Sequence, residues 1–117
     1  MKTPYNGKNR RRVFRLRLPP NELLRAVVED LEYEVVEVAE FSVVFNCAEV
    51  RNQNGKCSGV IHWSDGSQSN FLGGIGRLNG ENRVVWNVTG ISMQDVIGEQ
   101  RRILAKYPAV KKTGKAA

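Results

Sequence analysis

The amino-acid sequence predicts a mainly β fold: a small barrel or sandwich of five to seven short strands, followed by one C-terminal amphipathic helix. Three observations carry this. Short runs rich in Val, Ile, Phe and Trp alternate with polar residues at period two. Turn sequences separate these runs at short, regular intervals, and many short strands so spaced favour a barrel or sandwich. After Gly90 the apolar spacing changes to that of a helix.

The first strand is read over Val13 to Leu18, where Phe14, Leu16 and Leu18 face one way and Arg15 and Arg17 the other. Pro19-Pro20 stops it. Asn21 is placed to cap a short helical turn over Glu22–Val27, but the pattern Leu-Leu-Arg-Ala-Val-Val fits an extended strand equally well. Tyr33 to Phe45 reads as one strand, and the adjacent Val35 and Val36 mark a bulge or bend in it. Asn52-Gln53-Asn54-Gly55 is a strong turn, because Asn-Gly tolerates positive φ. Cys57 to Trp63 is the next strand, and Ser64-Asp65-Gly66-Ser67 the next turn. Ser69 to Leu78 follows, bent by Gly73, Gly74 and Gly76. Asn79-Gly80-Glu81-Asn82 turns the chain into a strand over Arg83 to Val88. Ser92 caps the helix, with Asp95 as a loose capping box. Met93, Val96, Ile97, Gln100, Ile103 and Leu104 form its core-facing stripe, and Tyr107-Pro108 ends it.

At 117 residues the chain has room for one domain. Residues 1–9 read as a flexible arm, 10–108 as the domain, and 109–117 as a disordered basic tail. No run of apolar residues is long enough to span a membrane, and the basic N-terminus is not followed by the apolar core of a secretory signal. Cys47 and Cys57 are expected to be free thiols, which fits a cytoplasmic protein.

The net charge of +6 is unevenly placed. Residues 1–17 hold seven basic residues and no acid, and residues 106–117 hold four and no acid. The stretch between holds seven basic residues against all twelve acids, so a basic arm precedes an acidic body. Such an arm recruits an anionic partner.

Enzymatic constellations are scarce. His62 is the only histidine, and Cys47 and Cys57 do not form a metal-ligand pair, so no catalytic or metal site is expected. Gly73-Gly74-Ile75-Gly76 does not match a dinucleotide-binding loop, and its surroundings read as strand. The informative segment is Arg10-Arg11-Arg12-Val13-Phe14-Arg15. A guanidinium is planar and permanently charged. It pairs bidentately with phosphate oxygens or with the O6 and N7 edge of guanine, and it also stacks on a purine face. A ligand that carries both phosphates and guanines would use several arginines at once. Nucleic acid is the weaker alternative: the body is acidic, and few aromatic residues are interleaved with the arginines.

Arg11-Arg12-Val13-Phe14-Arg15 resembles the RRxxR form of the RxxxR motif that opens PilZ domains. Gly59-Val60-Ile61, Asp65-Gly66, Phe71 to Gly76, and Glu99 to Leu104 followed by Tyr107-Pro108 fall in the order of similar stretches in that family, so the resemblance covers residues 10–108. It implies a six-stranded antiparallel β-barrel with a C-terminal helix. It also implies a non-enzymatic receptor for cyclic di-GMP in bacterial second-messenger signalling, needing no other cofactor and acting on a downstream protein partner rather than on DNA or RNA.

The family's second motif, (D/N)xSxxG, is matched locally by Glu40-Phe41-Ser42-Val43-Val44-Phe45. Only the serine agrees. Glu40 stands for Asp or Asn, and Phe45 for Gly. The resemblance therefore implies a ligand site of Arg11, Arg12, Arg15, Glu40 and Ser42, with the arm closing over the bound nucleotide. Phe45 either projects into the space a base needs or turns inward as core. In the first case the domain is a degenerate adaptor that acts through protein contacts alone.

Overall fold

The computed structural model describes residues 14–107. The arm, Arg11, Arg12 and the tail from Pro108 onward lie outside the described residues. Seven strands precede one helix: β1 (Arg15–Arg17), β2 (Leu24–Val28), β3 (Leu31–Ala39), β4 (Ser42–Phe45), β5 (Lys56–His62), β6 (Gln68–Asn79), β7 (Asn82–Thr89) and α1 (Met93–Lys106).

All pairings are antiparallel. The order β3-β2-β5-β6-β7-β4 returns to β3 through the β3–β4 pair, so six strands close into a barrel. β1 lies on the same side of β3 as β2. It pairs with Glu37, Val38 and Ala39, while β2 pairs with the residues from Leu31 to Val35. Closure removes the open sheet edges that would otherwise template aggregation.

One open sequence reading is decided and one expectation changes. The segment after Pro20 is strand β2: the burial of Leu24, Ala26 and Val28 alternates with period two, which a helix cannot satisfy against this sheet. Tyr33 to Phe45 is a hairpin rather than one strand. Glu40-Phe41 forms its turn, which lets Val43 and Val38 face each other in the core. The bulge is where Val35 and Val36 indicated it, since the register slips between Val35 and Glu37.

The interior is filled by Val28, Val35, Val38, Val43, Phe45, Ile61, Phe71, Val85 and their neighbours. Phe45 is fully buried and meets Tyr33 edge-on, with ring centroids 5.6 Å apart. Cys57 is part of this core, and burial pushes its thiol up to about 11. At one end the β4–β5 connection inserts Val50, held by the Arg51 amide donating to the Tyr33 hydroxyl at 3.1 Å.

The other end is crossed by α1. Ser92 caps it by accepting from the Asp95 amide, and Val96 and Ile103 enter the core. Leu104, expected on the buried stripe, is 40% exposed, and Glu99 takes a fully buried position instead. A carboxylate is tolerated there because it is satisfied. It accepts from Arg102 Nη2 at 2.7 Å, from Ser64 Oγ at 3.0 Å and from the Ser64 amide at 3.2 Å. The far end of the helix is clasped to the β1–β2 loop. The Tyr107 hydroxyl donates to Glu22 at 2.8 Å, and Lys106 Nζ donates at 3.1 Å. These two donors hold the Glu22 carboxyl below its usual range.

Gly90 joins β7 to the helix at φ +104, a region that disfavours side chains, and an added Cβ would run into the Asn70 carbonyl. Gly90→Ala is expected to cost about 3 kcal/mol or more, because strain and collision act together. Urea denaturation would show the lower midpoint; an unchanged midpoint would mean the β7–α1 junction relaxes freely.

Candidate ligand-binding face

The outer face of the barrel is built by register. β1 turns Leu16 into the core, so Arg15 and Arg17 point outward. Arg15 pairs with Ala39 on β3. Ala39 and Ser42 flank the β3–β4 turn, one step beyond the inward pair Val38 and Val43. Ser42 pairs with Trp86 on β7, and Trp86 with Gly74 on β6. A row therefore runs Arg15, Ala39, Ser42, Trp86, Gly74 across five strands. Its span from Arg15 to Trp86 is three strand spacings, about 14 Å.

Trp86 is 43% exposed, although β7 buries the neighbouring Val85 fully. Gly74 and Gly76 explain where its ring rests. A Cβ on Gly76 would lie 3.0 Å from Cδ2 and 3.2 Å from Cε2 of Trp86, and one on Gly74 would lie 3.6 Å from Cδ1. The indole thus lies along a track of two glycines and presents its other side to solvent. Register shifts occur in the β6–β7 pair on both sides of this segment, between Leu72 and Gly74 and between Ile75 and Leu78. Asn87, beside Trp86, sits at φ +53. Bulges of this kind re-aim side chains and concentrate next to functional sites.

A second row lies two residues along the same strands: Arg17 pairs with Glu37, Glu37 with Val44, and Val44 with Val84. Here the surface sinks into a cleft of about 450 Å³ walled by Leu18, Pro20 and Val44, with Arg17, Glu37, Asn79 and Asn82 as its polar groups. Its exposed lining is mostly polar, so the recess suits a polar ligand that offers complementary hydrogen-bonding groups. Arg17 Nη2 meets Glu37 Oε1 at a single 3.4 Å contact.

Arg15 is exposed on β1, Glu40 is half-buried in the β3–β4 turn, and Ser42 is half-buried at the start of β4. The fold brings these three to one rim of the barrel, while Arg11 and Arg12 fall outside the described residues. Phe45 turns inward and takes no space on this face. Sequence reasoning missed Trp86, Arg17 and Glu37. A signal for Trp86 was present, since glycines two apart on one strand share a face and leave room for a large side chain from the neighbouring strand.

Other chemistry is sparse. Among the described residues, no group of three or more His, Cys, Asp or Glu is placed to hold a metal ion. His62 is exposed at the end of β5 and pairs across the sheet with Arg25. No described helix is long and apolar enough to cross a membrane. No protein-family model, curated protein or solved structure matches the chain.

Proposed function

We propose that this barrel is a PilZ-type receptor or adaptor domain that binds cyclic di-GMP on the face defined by Arg15, Ser42 and Trp86, and acts in the cytoplasm on a downstream protein partner. The observation that carries the reading is the Trp86 indole, laid on a glycine track in register with Ser42 and Arg15. A flat aromatic surface stacks a base whatever its sequence context. A permanently charged arginine about three strands away holds a phosphate. The basic segment ending at Arg15 supplies further guanidinium groups, Arg11 and Arg12, which lead directly into β1. Glu40 and Ser42, at the turn between the two, supply acceptor groups for a base edge. Because Phe45 points into the core, its replacement of the family's glycine places no bulk over this face.

Isothermal titration of cyclic di-GMP, with GTP and linear pGpG as controls, tests the reading. Saturable binding that is selective over both controls is expected. Arg15→Ala should weaken it about tenfold, the loss of one charge-assisted hydrogen bond to phosphate. Absence of heat together with unchanged amide spectra would reject ligand binding and leave an adaptor that works through protein contacts.

A further inference from the structure

We infer that the Arg17–Glu37 pair in the cleft reads the edge of a guanine, making these two side chains the base-specificity determinants of the face; this rests on the nucleotide-binding reading above. Around its rim guanine presents N7 and O6 as acceptors, then N1–H and the 2-amino group as donors. Arg17 and Glu37 are direct cross-strand neighbours on the outer surface. Side by side they present donors, then acceptors, which is the complement of that rim in the same sequence. Adenine fails the match, because its 6-amino donor falls where Arg17 donates and its N1 acceptor where Glu37 accepts.

The pair is also free to open. Arg17 is 81% exposed and its one contact with Glu37 is 3.4 Å long, so little is lost when a base edge replaces it. Glu37 by contrast is only 17% exposed, fixed at the cleft wall beside Val44. A carboxylate held this way is pre-positioned to accept two donors. Leu18 and Val44 back the cleft but are almost fully buried, and Asn79 and Asn82 stand across it. The Trp86 row lies two residues away along the strands, about 7 Å. One nucleotide ligand can therefore touch both rows.

Amide-detected titrations of the full chain with GMP, IMP and AMP, and with cyclic di-GMP, test the inference. IMP lacks only the 2-amino group, so it isolates the contact to Glu37. For the native protein the expected order is GMP, then IMP, then AMP, with shifts at Val44, Asn79 and Asn82. Glu37→Gln should lower GMP affinity about tenfold and abolish the preference of GMP over IMP. Its circular dichroism should remain native, since the side chain lies outside the core. If cyclic di-GMP binds the native protein but Glu37→Gln keeps its full preference for GMP over IMP, the inference fails and the receptor reading stands. If none of the four ligands shifts the native spectrum, both fail together.

Discussion

Arg102→Met is expected to destabilise the domain by about 3 kcal/mol, which for a chain of this size lowers the melting temperature by roughly 15 °C. The reason is what it leaves behind. Glu99 is only 1% exposed, and among the described residues Arg102 is its one charged partner, at 2.7 Å. Removing the guanidinium leaves a buried carboxylate held by the Ser64 amide and hydroxyl alone. The reverse change should be milder. Glu99→Gln keeps an acceptor for the Ser64 groups, and Arg102, at 34% exposed, still reaches water and the Asp65 carboxylate at 3.4 Å. A loss of about 1 kcal/mol is expected there. The double variant Glu99→Leu with Arg102→Met should recover most of the stability, because an apolar pair of similar volume removes the desolvation cost altogether. Thermal unfolding of all three variants measures this. Equal losses for Arg102→Met and Glu99→Gln would show that the pair acts as a surface ion pair and does not fix the helix to the β5–β6 turn.

The same residues show where sequence reading ends. Period-two runs and Asn-Gly or Asp-Gly turns located most strands, because backbone sterics and one buried face leave few other solutions. The helix was legible from Ser92 and the spacing of Val96 and Ile103, both of which are buried. Its rotation was not. Glu99 displaces Leu104 from the buried face only because a turn more than thirty residues earlier supplies Ser64 and its amide. No local pattern encodes that pairing. The β3–β4 hairpin was hidden for a related reason. Glu40-Phe41 lacks glycine, proline and asparagine, so its turn is imposed by the partners on either side: Glu37, Val38 and Ala39 against β1, and Ser42 to Phe45 against β7. At the candidate site, Arg15 stood out by residue type and Ser42 only through the motif resemblance. Trp86, Arg17 and Glu37 became visible only once register placed them on adjacent rows of one face.

Trp86→Ala should lower affinity for a purine nucleotide by about 10- to 100-fold, the range expected for the loss of one stacked base. The side chain is 43% exposed and contributes to no buried cluster, so folding should be nearly unaffected. The two glycines beneath it give a sharper contrast. Gly76→Ala would place a methyl 3.0 Å from the ring and 2.9 Å from the Val84 carbonyl. Backbone does not yield as a flexible side chain does, so the indole must lift from its track. Affinity should fall about tenfold, with stability lower by about 1–2 kcal/mol. Gly74→Ala would place its methyl 3.6 Å from the ring, an ordinary contact, and should bind as the native protein does. Tryptophan emission gives a second readout. Trp63 is buried, with its Nε1 donating to Ser69 at 2.9 Å, so a nucleotide stacking on this face should quench the solvent-exposed Trp86 and leave Trp63 unchanged. A Gly76→Ala protein that binds as tightly as Gly74→Ala would show that the ring's seating is irrelevant. The stacking role of Trp86 would then be abandoned, and the arginines alone would have to account for any nucleotide affinity.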